Sequence, residues 1–160
     1  MLRLQDLPSG FQAIETSVLG LDPDGLEELG VQVEQTFAFM HPDEFQFVLG
    51  FLHRLDSTAD RVFFDSLAAS PDLVAEALTG SSGPLQLEDV QPLEFPELGE
   101  ASGAMTGKLR TAGIRFQSEL VVFREGSVGA VLIVARLDGD QPMLKLTDLA
   151  GLLLVRIRNA

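Results

Sequence analysis

Cysteine, tryptophan and tyrosine are all absent from this chain of 160 residues. Without cysteine the chain can form no internal disulfide, no thiolate nucleophile and no cysteine-based zinc site. The compartment stays open, because exported domains can also lack cysteine. Without Trp and Tyr, any aromatic platform for stacking bases must come from the 11 phenylalanines. Positive charge is scarce as well: 11 Lys and Arg stand against 24 Asp and Glu, for a formal net charge of −13. Such a surface repels phosphate backbones and anionic membranes, so nucleic acid is not expected as a partner. No apolar run approaches the roughly 18 residues a membrane helix needs, so no integral membrane segment is expected. The opening "MLRLQDLPSG" has a single Arg and no apolar core, and does not read as a signal peptide. A cytoplasmic protein fits this start. So does an exported one, in the periplasm, a lumen or at the cell surface, whose leader has been trimmed.

What is present suits a folded domain. Hydrophobic residues make up 46% and charged residues 22%, enough apolar material for a real core and too much for global disorder. The charge is uneven: residues 1–80 hold 14 acids and 3 bases, residues 81–160 hold 10 and 8. The low-complexity "TGSSGP" at 79–84 divides these halves but is too short for a convincing linker. The expectation is therefore one domain over 1–160.

The clearest local signal is "TFAFMHPDEFQFVLGFLHRL" at 36–55, two apolar runs around a Pro-Asp turn. The spacing predicts a hairpin in which Met40 faces Phe45. Period-two alternation puts Phe45, Phe47, Leu49, Phe51 and Leu55 on one face. Val48 and Leu52 lie on the other, with Phe37 and Phe39 from the partner strand. Apolar side chains on both faces predict a sheet covered on both sides. Before it, "GFQAIE" (10–15) reads as a short strand and "DPDGLEELGVQVEQ" (22–35) as turn plus short acidic helix.

After it, Ser57 with Asp60 forms a capping box, and Val62, Phe63 and Leu67 form a helical stripe. A second helix starts with Ser70 as N-cap and Pro71 at the first position, and ends at Gly80. "PLQLEDVQPLEF" (84–95) contains Pro92 and reads as edge strand or loop. Residues 108–123 and 128–137 flank "REGS" as a second long hairpin, with Glu125-Gly126 and Gly129 serving its geometry. "LTDLAGLLLVRIRNA" (146–160) reads as a helix capped by Thr147. Arg156 and Arg158 lie at the negative end of its dipole. Its leucines, with Val155 and Ile157, cover much of its circumference, so it packs deeply across the sheet. Hairpins impose antiparallel pairing, so the fold class is α+β, an α/β/α sandwich on a largely antiparallel sheet.

Chemistry-bearing motifs are few. "PELGEASGAMTGK" (96–108) has the look of a phosphate loop. A nucleotide-binding loop needs G-x-x-x-x-G-K-[ST] between a strand and a helix. Here Leu109 follows Lys108, Ser102 stands where the first Gly belongs, and strand-like sequence follows. A surface loop leading into the second hairpin is the better reading. His41 and His53 fall about 26 Å apart along the first hairpin, too far to share a metal. His53 reads as a partly buried histidine with a hydrogen-bond partner, and no Ser-His-Asp arrangement or G-x-S-x-G motif accompanies it. The acid pairs Asp22/Asp24, Asp43/Glu44, Glu88/Asp89 and Asp138/Asp140 lack calcium-loop spacing and read as turn residues, with weak divalent binding left open. Arg124 and Arg136 flank the second hairpin, either as solvated strand ends or as a docking patch for an acidic partner.

Taken together, "LPSGF", the aromatic hairpin, the helix at 57–69, "LGEAS", "VVFREGSVGAVLIVA" and "LAGLLLVRI" resemble the Mog1/PsbP-like family. That resemblance covers most of the chain and implies an α/β/α sandwich with a central antiparallel sheet. It further implies a non-enzymatic binding or assembly factor, often exported as a lipoprotein, in some cases around photosynthetic complexes. No lipobox cysteine is present, and no family site residue carries over. The expected activity is thus protein binding, without catalysis or cofactor, and with a partner surface around Glu97, Glu100, Ser102, Arg124 and Arg136. The alternative expectation is a small-ligand-binding or enzymatic domain with a pocket between sheet and helices, as in NTF2-like domains.

Overall fold

The computed structural model describes residues 1–80 and 84–160; "TGSSGP" lies partly outside the described residues. Its centre is a seven-stranded, wholly antiparallel sheet in the order β1-β2-β3-β7-β6-β5-β4. The strands are β1 (Gln12–Ala13), β2 (Val33–His41), β3 (Gln46–Arg54), β4 (Gln86–Pro92), β5 (Ala101–Thr111), β6 (Ile114–Glu125) and β7 (Val128–Leu137). Four α-helices complete it: α1 (Asp24–Glu28), α2 (Thr58–Ala68), α3 (Pro71–Thr79) and α4 (Leu146–Arg158). Among the described residues, no helix is long and apolar enough to cross a membrane.

Both sheet faces are covered, as the two-sided hairpin predicts. Phe47, Leu49, Phe51 and Leu55 join Phe64, Leu67, Val74 and Leu78 of α2 and α3 in one core. Phe37, Phe39, Val48 and Leu52 join Leu149, Leu153 and Leu154 of α4 in the other. The alternation expected for β2 and β3 holds, with one exception. Phe45 does not enter the strand: His41 pairs with Gln46 and Met40 with Phe47, leaving a four-residue turn. There Phe45 takes a left-handed backbone and is 50% exposed. His41 closes this turn by accepting the Glu44 N–H at Nδ1.

The helix boundaries largely follow local chemistry. Ser57 Oγ accepts the Asp60 N–H and Asp60 returns the bond to the Ser57 N–H, completing the capping box. These bonds from Ser57 hold the Asp60 carboxyl below the usual carboxylate range. Pro71 and Gly80 bound α3 as expected, although the Ser70 hydroxyl makes no capping bond. On α2 the buried stripe is Phe64, Leu67 and Ala68; Val62 and Phe63 face outward at 65% and 41% exposure. Two adjacent phenylalanines differ by about 100° around a helix, so only one can face the sheet, and it is Phe64. Helix α4 starts at Leu146, with Lys145 in the N-cap position, two residues before the expected cap Thr147.

The largest departure concerns the second hairpin. Residues 108–123 are not one strand: a two-residue turn at Ala112-Gly113 divides them, so β5, β6 and β7 form a three-stranded meander. "GEASGAMTGK" is therefore mostly strand, not loop. Its small residues have a packing reason. A Cβ on Gly103 would lie 1.9 Å from the Ala68 carbonyl oxygen, because the end of α2 presses onto β5 there. Lys108, the residue that suggests a phosphate loop, pairs instead with Asp138 at 3.1 Å.

Candidate functional site: a groove at the sheet margin

Strand β4 pairs with β5 only from Gln86↔Arg110 to Pro92↔Met105. One further bond follows, from the Leu93 N–H to the Ala104 carbonyl at 3.0 Å. The chain then leaves the sheet edge, with Leu93 and Phe95 packed against the α4-side core and Leu98 buried within it. Among the described residues, none pairs with the outer edge of β5 before Ala104. An open groove of about 590 Å³ results. One wall is the junction of α2 and α3, from Ala68 to Asp72; the other is Val90 to Phe95; the floor is Ser102 to Met105.

The groove mixes polar and apolar lining, with Gln91 and Ser102 beside Val90, Leu93 and Phe95, and its charge is of one sign. Among the described residues, Asp72 is the only ionisable side chain lining it. Glu94 and Glu97 lie exposed in the bordering segment, and neither forms an ion pair among the described residues. Strand geometry orients the floor. The Ala104 carbonyl points toward β4, and main-chain groups two residues apart point the same way, so those of Ser102 also face the groove. The Ser102 hydroxyl is engaged, accepting the Leu98 N–H at 3.0 Å.

The residues expected to form a partner surface divide into three settings. Ser102 lines the groove, and Glu97 lies exposed two residues beyond Phe95 along the chain. Arg124 is no solvated strand end: it is only 9% exposed. Its guanidinium takes Asp65 of α2 in a two-point bond, Nε to Oδ1 at 2.5 Å and Nη2 to Oδ2 at 3.0 Å. It also binds the Glu100 carboxylate and the Gly126 carbonyl. The bond to Asp65 is the chief cause raising the Arg124 pKa; burial opposes it and Glu100 reinforces it. Three segments are thereby tied together just behind the groove. Arg136 sits toward the opposite end of β7, donating to the Asp140 carbonyl at 3.1 Å. Arg124 and Arg136 therefore do not form one patch. Asp72, Val90 and Phe95 do line the groove, and no motif marks them. The usable signal was an exposed Val two residues before the Pro that ends an edge strand.

The histidines occupy opposite ends of the first hairpin. His53 bonds the Gln32 carbonyl through Nδ1 and stacks on Phe64, with centroids 6.1 Å apart. His41 meets Phe11 edge-on. The acid pairs are engaged in turns or pairs: Asp22 accepts the Asp24 N–H, Glu88 pairs with Arg110 and Arg115, and Asp89 holds a positive φ in a β4 bulge. Among the described residues, no three His, Asp or Glu side chains converge as a metal site. Between α3 and the sheet the interior void is about 20 Å³, on the order of a single water. Neither a protein-family model nor a curated protein matches the chain.

Proposed function

We propose that this chain is a non-enzymatic protein-binding or assembly domain of the PsbP-like kind, and that it engages its partner at the groove between the α2–α3 junction and the β4–β5 margin. The observation that carries the reading is the groove itself. It is open, lined by both polar and apolar groups, and floored by the end of β5 that β4 does not pair, whereas the volume between α3 and the sheet is nearly filled. The three-layer arrangement is also what the resemblance to Mog1/PsbP-like proteins implies.

Panning a random peptide display library against the chain tests this. Enriched peptides should bind the wild type and lose about tenfold in affinity to Val90→Lys and to Asp72→Lys, with unchanged melting temperature. Peptides indifferent to both substitutions would remove the groove as the docking site. A catalytic turnover abolished by His53→Ala would remove the non-enzymatic reading.

A further inference from the structure

The edge geometry says how a partner would be held. We propose that the groove receives a short, extended, cationic segment of another protein as an added strand, paired to the open edge of β5 at Ser102. This rests on the groove being the docking surface.

Exposed main-chain donors and acceptors on a strand edge are a ready template for one more strand. Here the outer neighbour reaches only to Leu93, opposite Ala104, and among the described residues no main-chain bond to that edge follows at Ser102. The unpaired stretch from Ala101 to Gly103 is about 7–10 Å long, room for two or three residues of partner strand. Side chains of an added strand would alternate between the two walls. Toward the helices they would meet Ala68, Ala69 and Asp72; toward α4 they would meet Leu93 and Phe95. The first wall favours a long cationic side chain reaching Asp72, and the second an apolar one. Among the described residues no Lys or Arg lines the groove, so Asp72 stands there without a competing cation. With a net charge of −13 the whole chain draws a basic segment toward it.

The test uses a labelled synthetic peptide of about nine residues alternating lysine and valine, titrated into the full chain by fluorescence anisotropy. Two further versions carry backbone N-methyl groups in one or the other alternate frame, and a fourth replaces lysine by glutamate. The parent peptide should bind, one N-methylated frame should lose at least about tenfold, and the glutamate version should not bind. Asp72→Lys should weaken the parent peptide, and binding should protect the Ser102 amide from hydrogen exchange. Equal binding by both N-methylated frames, or an unprotected Ser102 amide, would overturn strand addition. If library-selected peptides occupy the groove while the lysine–valine peptide does not bind, the partner chemistry fails and the docking site stands. If no peptide engages the groove, both fall.

Discussion

Strands β3 and β4 belong to one sheet but live under opposite conditions. Nearly every residue of β3 is buried, from Gln46 through Leu52, whereas β4 is exposed over most of its length. β3 has neighbours on both edges and a packed core on both faces. β4 is an edge, carries a bulge beside Asp89 and stops at a proline. Stability is concentrated in the first strand, and accessible surface in the second. A site that must admit a partner belongs where the fold has least to lose.

Substitutions on either strand can break or sharpen that contrast. Phe51→Ala, in the middle of β3 and 2% exposed, should cost about 3–5 kcal/mol in chemical denaturation. Its loss removes a large buried ring with both helices and sheet fixed around it. Next in size is Arg124→Met, which leaves Asp65 and Glu100 facing each other without a cation. Their carboxylates are 37% and 53% exposed and can rehydrate, so the expected cost is about 2 kcal/mol, below that of a fully buried pair. Val90→Lys, on β4 and 42% exposed, should change stability by no more than about 0.5 kcal/mol. A large effect there would mean that β4 belongs to the core after all.

The two hairpin faces were readable because β2 and β3 alternate large apolar side chains on both sides. The capping box of α2 and the Pro and Gly bounds of α3 were readable because each rests on neighbouring residues. β5 was not. Ala101, Ser102, Gly103 and Gly107 have loop composition, and the reason for a small residue at 103 is a helix end brought in from position 68. Arg124 misled for the same reason: its partners lie 59 and 24 residues away. The choice between Phe63 and Phe64 depended on the rotational phase of α2, which two adjacent aromatics leave ambiguous. The groove is the extreme case. Its lining comes from three separate stretches of chain, and of the surface expected from sequence only Ser102 belongs to it.

The position of β7 between β3 and β6 has a consequence for synthesis. The sheet's centre closes only when Phe47 meets Ala135 and Arg54 meets Val128. Until the ribosome has delivered β7, the first hairpin waits with one edge of its most apolar strand unpaired. Contacts so distant along the chain also form slowly. During that interval the apolar edge of β3, not the groove at β4, is the surface most exposed to wrong partners, and a chaperone that shields unpaired strands would act there.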